Sequence, residues 1–472
     1  MPRRNKTPKA SSRASARRKR STSSSSQRIE ATVVPLDLAQ SGCEARAADG
    51  TRFALSAAVP GERVRLEPLP GRGQRARVVR VLDASPHRVQ APCAVLDRCG
   101  GCSIQSMRYA QQLEAKATSM RHILGDLLER AQVDPIQGLK RPIGYRTRLL
   151  MPAIPRKQGF GLGFYQRGST ALVEALGCPV QHPLTLAVLA MARQTLLAAG
   201  IEATAPRSDG GWLHGLCVRA DPTAGMAELT LLANTPQLPG GRALAEQLAM
   251  LPGVAGVHLS VNPERSSYLL GEQFVFLAGH RRTVFHVGGD AFHLSPGSFF
   301  QTCAEGAELL AQTVLTMLPE QIDLLADLYG GVGVFARLSA PRWRRALVAE
   351  SNPQAVEDLR SWLRYSGEKQ LEVVSGRVEA QIERVMRRSP DVVVLDPPRS
   401  GCRPEVMASI GAQRPPTVLY IACGIEALAR DGAILARQGY YIDRVAAVDM
   451  FPHTLHLEVV ARFVLDTPPP HK

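Results

Sequence analysis

The chain reads as an α/β protein. Its C-terminal half is a doubly wound, mostly parallel sheet, preceded by a mixed α+β region and a small N-terminal β-barrel. Three observations carry this. From Val284 onward, short apolar runs alternate with stretches of helical spacing, the pattern of strands joined by crossover helices. One run, Leu324 to Leu328, enters the glycine-rich turn Tyr329-Gly330-Gly331-Val332-Gly333 and then opens a helix. Before residue 85, by contrast, the runs are short and punctuated by Gly, Pro and Asp-Gly, as in a closed all-β unit. The 472 residues suffice for two or three domains, and a hydrophobic content of 45% supports a sizeable core.

Residues 1–28 form a basic tail with ten Lys or Arg and no Asp or Glu, two thirds of the net charge of +15. The charges cluster at Arg17-Arg18-Lys19-Arg20 and large apolar residues are almost missing. The tail therefore reads as disordered and drawn to polyanions, not as a transit helix or secretory signal. Residues 21–26, Ser-Thr-Ser-Ser-Ser-Ser, act as a linker. No apolar run reaches the roughly 18 residues of a membrane span, so no membrane association is expected.

Residues 29–88 make the barrel. Its strand-like runs are Ala31–Val34, Thr51–Leu55, Glu62–Leu66 and Ala76–Leu82. Residues 89–284 make the central α+β region, which opens on Cys93, Cys99 and Cys102 in a C-x5-C-x2-C spacing. Cys178, in Gly177-Cys178-Pro179, is the fourth candidate ligand. Four thiolates suit a tetrahedral zinc or an iron–sulfur cluster, and the spacing does not choose between them. Nine cysteines in so long a chain are no disulfide scaffold and point to a reducing compartment. Cys43, Cys217, Cys303 and Cys402 have no partner at ligand spacing and read as small hydrophobes. Residues 105–132 show helical spacing. Arg141–Arg148 is a basic segment that could face RNA. Residues 149–280 alternate strands with helices over 182–199 and 241–250.

Residues 285–472 form the doubly wound half. The glycine turn after Leu328 lets a ligand approach the backbone at a helix N-terminus. About twenty residues on, Glu350 ends the next strand, where a carboxylate accepts ribose hydroxyls. Asp391–Leu395 runs into Asp396-Pro397-Pro398-Arg399. Val418–Ala422 reads as a buried strand that ends on Cys423 and Gly424; helical spacing follows over 426–437 and a strand over 440–448. Asp449-Met450-Phe451-Pro452-His453-Thr454-Leu455-His456-Leu457-Glu458 returns a carboxylate and two histidines. A thiol at the carboxyl end of a buried strand sits where open α/β sheets bind ligands. A thiol with a carboxylate suits one reaction well. The C5 carbon of uracil is too weak a nucleophile to attack a methyl donor. A thiolate added at C6 makes C5 nucleophilic, and a base then removes the C5 proton so that the thiol can leave.

These words resemble the RNA uracil-5-methyltransferase family: Ala422-Cys423, Leu428-Ala429-Arg430-Asp431, Asp396-Pro397-Pro398-Arg399, Phe299-Phe300-Gln301 and Asp449–Glu458. The resemblance covers residues 29–463 and is strongest over 286–463. Two departures are visible. Gly424-Ile425 stands where the family has Asn-Pro, and Arg377 stands near the place of an Asn that ends the third strand. The resemblance implies Cys423 as nucleophile and Glu458 as base. It implies Gln301, Tyr329, Val334 (through its backbone), Glu350 and Asp396 around S-adenosylmethionine. The C-x5-C-Gly-Gly-C set with a distant Cys-Pro resembles a subset of the family, so Cys93, Cys99, Cys102 and Cys178 are expected to hold a [4Fe–4S] cluster. Ala58–Val64, followed by a basic strand and Ala84–Val89, resembles a TRAM domain, an OB-like barrel found on RNA-modifying enzymes. The expected protein is a cytoplasmic monomer of the ribosomal branch. It would methylate C5 of a uridine in 23S ribosomal RNA. The alternatives are the same chemistry on tRNA, and an RNA-binding protein with a degenerate methyltransferase domain.

Overall fold

A computed structural model describes residues 28–40, 42–55, 57–69, 74–204, 211–263 and 269–466. The basic tail, Arg28 apart, lies outside the described residues. The N-terminal unit is a five-stranded antiparallel sheet of Ile29–Val33, Cys43–Ala47, Arg52–Leu55, Arg63–Pro68 and Ala76–Asp83. In space the order is third, second, first, fourth, fifth. A bridge from Ala54 to Arg75 brings the two edges together. Alternation is clear in Arg63–Pro68, where Val64 and Leu66 are buried and Arg63 is exposed. Cys43–Ala47 is a strand the sequence did not announce. Its inward residues are Cys43, Ala45 and Ala47, too small to stand out as a strand pattern. This sheet is tied to the segment that follows it by the buried carboxylate of Glu62, which accepts from Val59 N at 3.0 Å and from Arg88 Nη2 at 2.7 Å.

The central sheet has seven strands, in the order Gln273–Gly279, Val254–Val261, Met226–Ala233, Leu213–Asp221, Arg148–Pro155, Phe160–Tyr165, Leu172–Glu174. The helices Pro183–Ala198 and Gly241–Ala249 pack their buried residues, among them Leu189, Leu196, Leu244 and Leu248, onto its core. The first begins cleanly because Pro183 occupies its first turn and His182 Nδ1 accepts from Leu184 N at 3.2 Å.

The C-terminal sheet has eight strands. Leu371–Ser375, Trp343–Glu350, Ile322–Leu328, Val392–Leu395 and Thr417–Ala422 are neighbours in that order and run parallel. Glu458–Leu465 inserts antiparallel between Thr417–Ala422 and Tyr440–Val448. Helices cover both faces, which is why these strands are nearly continuous apolar runs. The helix expected over 105–132 is shorter, Tyr109–Leu124. Gly125, at φ 46°, ends it, a 3-10 turn follows, and Gln132–Val133 becomes the edge strand of the C-terminal sheet beside Arg444–Val445. Leu127 and Leu128 keep their core contacts from the turn, so the apolar spacing persists after the helix stops. Among the described residues, no helix is long and apolar enough to cross a membrane.

Candidate active site

Ladder register builds the centre of the site. Thr417–Ala422 and Glu458–Leu465 are antiparallel, with Tyr420 opposite Ala461 and Ala422 opposite Val459. One residue further, Cys423 comes level with Glu458, which is also the partner of Val448 on its other side. Asp396 ends the neighbouring parallel strand, whose Leu395 pairs with Tyr420. Cys423 is half-buried and Glu458 is 6% exposed. Burial, then the Glu458 and Asp396 carboxyls, push the Cys423 thiol up to about 11, against the pull of Arg399. Burial, then Asp396, push Glu458 up to about 8. Burial alone takes Asp396 up to about 7. Three acidic groups that resist ionising together make a site short of a positive charge.

The turn after Ile322–Leu328 forms the adjoining wall. Tyr329, Gly331 and Gly333 have φ of 60°, 57° and 74°, and the helix Val334–Leu338 starts there. A side chain at Gly330 would meet Asp327 Cγ and Val348 Cγ1 at 2.8 Å, so only glycine lets this backbone close up. Gly331 N donates to Glu350 Oε2 at 2.9 Å, and Ser351 N and Asn352 N donate to Glu350 Oε1 at 2.6 and 2.5 Å. Tyr329 OH donates to Glu379 Oε1 at 3.2 Å. Gln301 arrives on a loop tied to the helix that follows Glu350: Asn352 Nδ2 donates to Gly297 O at 3.0 Å, and Gly297 N to Gln354 Oε1 at 2.8 Å. Phe300 is buried there while Phe299 is 57% exposed. Arg377, an exposed residue, precedes the helix Val378–Met386. The turn after Cys423 also explains one departure. A Cβ at Gly424 would meet Arg399 O at 2.5 Å, so this chain has no room for another residue there.

Cys93, Cys99, Cys102 and Cys178 line a single cavity of about 640 Å³. Burial and the other three thiols push Cys102 up to about 12. Gln105 joins two of the cysteines: its oxygen accepts from Cys93 N at 3.1 Å and its nitrogen lies 3.9 Å from Cys102 Sγ. Among the described residues, no three His, Cys, Asp or Glu side chains converge as the ligands of one metal ion. Arg146 and Arg148, from the basic segment expected to face RNA, line this cavity.

Residues 377–463 match the model of the family described as tRNA (Uracil-5-)-methyltransferase. An uncharacterized RNA methyltransferase of Gloeobacter violaceus is 34% identical over 445 residues, 92% of this chain and 96% of the relative. One from Nostoc sp. is 34% identical over 421 residues, 86% of this chain and 90% of that one. The chain belongs to the RNA uracil-5-methyltransferase family. Its fold is that of a methyltransferase. The crystal structure of Pyrococcus abyssi tRNA (uracil-54, C5)-methyltransferase in complex with S-adenosyl-L-homocysteine superposes with a TM-score of 0.73 at 24% identity. It covers 92% of this chain and 99% of that one.

This uracil-5-methyltransferase family member also has buried polar residues around the candidate site that sequence reasoning missed. Asp327 is buried beneath the glycine turn and pushed up to about 7 by burial, Asp396 and Glu350. One of its oxygens accepts from Ala336 N at 3.2 Å and the other has no partner. Lys116, wholly buried, donates to Asp449 Oδ1 at 2.7 Å and to His456 O at 2.9 Å. Gln112 accepts from His453 N at 2.9 Å, and Ser103 N and Ile104 N donate to His453 O at 2.8 and 3.1 Å. Together these hold the turn that delivers Glu458. The signal was present: Gln112, Lys116, Met120 and Leu124 recur every fourth residue on the buried face of one helix. Polar residues on such a face need partners.

Proposed function

We propose that this protein methylates C5 of a uridine in RNA, using S-adenosylmethionine as donor, with Cys423 as nucleophile and Glu458 as base. The observation that carries this is the register that sets Cys423 level with Glu458 at the carboxyl end of the sheet, beside Asp396. The donor fits the residues present. Raised carboxyls at Asp327, Asp396 and Glu458 favour a cationic ligand, and the glycine turn gives close backbone approach. Gln301, Tyr329, Val334, Glu350 and Asp396 would hold it. When bound, S-adenosylmethionine supplies a methyl group on a positively charged sulfur.

The Cys423 thiol loses its proton to water, its sulfur bonds to C6 of uracil, and the C5–C6 π pair moves onto C5. Once C5 has been methylated it still carries its hydrogen. Glu458 takes that proton, the C6–S bond breaks, and the electron pair returns to sulfur as the Cys423 thiolate. Burial, with the neighbouring carboxyls, holds Cys423 and Glu458 above their usual ranges, at about 11 and about 8. A nearby cation lowers both, so the reactive ionisation follows from filling the site.

The four thiols around one cavity suit a [4Fe–4S] cluster, which spreads its ligands farther apart than a single ion does. The cluster would tie the loop after the barrel to the central sheet, in a structural role. The barrel of residues 29–88 is read as a TRAM domain that holds RNA. Barrel and cluster set together favour 23S ribosomal RNA as target. Nucleoside mass spectrometry of ribosomal RNA and tRNA from a deletion strain tests this: loss of one 5-methyluridine from 23S RNA is expected, and loss from tRNA alone would reassign the target. Cys423→Ala should abolish transfer of labelled methyl while S-adenosylhomocysteine affinity stays near wild type. Substantial turnover by that variant would refute the covalent route.

A further inference from the structure

The strand Gln273–Gly279 is the edge of the seven-stranded sheet. Its alternate residues Val275 and Leu277 face the core under the helices. Phe274 and Phe276 therefore point to the other face, toward Gln354 at the start of the helix Pro353–Ser366. They line a cavity of about 550 Å³ together with His258, His280, Arg281, Arg282, Ser295, Pro296 and Gln354. Arg281 lies over the Phe276 ring at 4.5 Å. His258, the cross-strand partner of Phe276, is 2% exposed, and its Nε2 has no partner at hydrogen-bond geometry. The nearest carboxylate oxygen, on Glu228, is 4.0 Å away and accepts from Arg219. A buried ring nitrogen without a hydrogen bond of good geometry, near the His280 backbone and beside two aromatic rings and an arginine, suits a planar ligand with a polar edge.

The cavity shares a loop with the proposed active site. Ser295 and Pro296 begin the loop that leads to Phe299 and Gln301. Arg219 holds that loop by donating to Ser295 O at 2.9 Å and Ser298 O at 2.8 Å. Gln354 holds it from the other side. We propose that this cavity receives a second, unpaired nucleotide of the RNA substrate. Its base would stack on Phe276 and meet His258 Nε2 at its polar edge, and its phosphate would lie against Arg281. The inference rests on the RNA methyltransferase reading and adds a contact outside the reacting uridine.

The test uses the full chain with in vitro transcripts of 23S ribosomal RNA and of tRNA. Phe276→Ala and Arg281→Ala should each raise the KM for RNA about tenfold, equal to about 1.4 kcal/mol. The kcat and the affinity for S-adenosylhomocysteine should stay unchanged, which also reports an intact fold. Phe276→Trp should keep wild-type KM. With 4-thiouridine in the transcript, crosslinks should map to residues 273–282. A KM within twofold of wild type for both alanine variants, or crosslinks that all map elsewhere, overturns the site while leaving the Cys423 chemistry standing. A wild-type protein that methylates neither transcript overturns both readings.

Discussion

Glu458→Gln replaces a carboxyl with an amide of nearly the same shape, and it should separate stability from turnover. In the unfolded chain this carboxyl ionises near 4.5, whereas in the fold burial and Asp396 raise it to about 8. Between those two values the native state holds a proton that the unfolded state has lost. Stability therefore falls as pH rises from about 4.5, and the loss is complete above about 8. At pH 7 the linkage amounts to on the order of 3 kcal/mol, and sharing protons with Asp396 reduces the part specific to Glu458 to roughly 1–3 kcal/mol. The amide never ionises, so the variant should be more stable than wild type by that amount at pH 7. Its advantage should vanish near pH 4.5. Urea unfolding followed by the fluorescence of buried Trp343 reads this directly. On the chemical side, the variant should leave methylated RNA bound to Cys423, seen as a persistent RNA–protein band on a denaturing gel. A variant less stable than wild type at pH 8, or one with normal turnover and no trapped RNA, would refute the reasoning.

Three further outcomes are expected. Asp396→Ala and Gln301→Ala should weaken S-adenosylhomocysteine binding or slow methyl transfer, since a displaced donor loses rate steeply; calorimetry and single-turnover rates read the two effects. Lys116→Met leaves Asp449 buried without its partner and should cost about 3–5 kcal/mol, with much of it recovered when Asp449→Leu is added; chemical denaturation measures both. Anaerobically purified protein should contain iron and acid-labile sulfide in equal amounts, and substituting Cys102 should remove both. One zinc per chain without sulfide would replace the cluster.

The resemblance to the family was legible because its words are local. Val418–Ala422 with Cys423, Asp396-Pro397-Pro398 and the glycine turn at 329–333 each announce themselves within ten residues. Period and turn chemistry also gave the parallel sheet, the helices near 183–198 and 241–249, and four of the five strands of the N-terminal sheet. The fifth, Cys43–Ala47, was lost because small residues carry little periodic signal. The early end of the helix at Gly125 was lost because the apolar spacing continued past it.

What the sequence by itself determined, then, was the identity of the acids, the thiols and the strands that bear them. Tertiary structure alone decided which of them meet. Cys423 and Glu458 lie 35 residues apart, and only the antiparallel insertion of the last strand makes them level. The same holds for Lys116 and Asp449, and for His258 and Phe276 on the edge of the central sheet. The raised pKa values of Cys423, Glu458 and Asp396 belong to the same class. Desolvation is a property of everything packed around a group, and no stretch of the chain carries it alone.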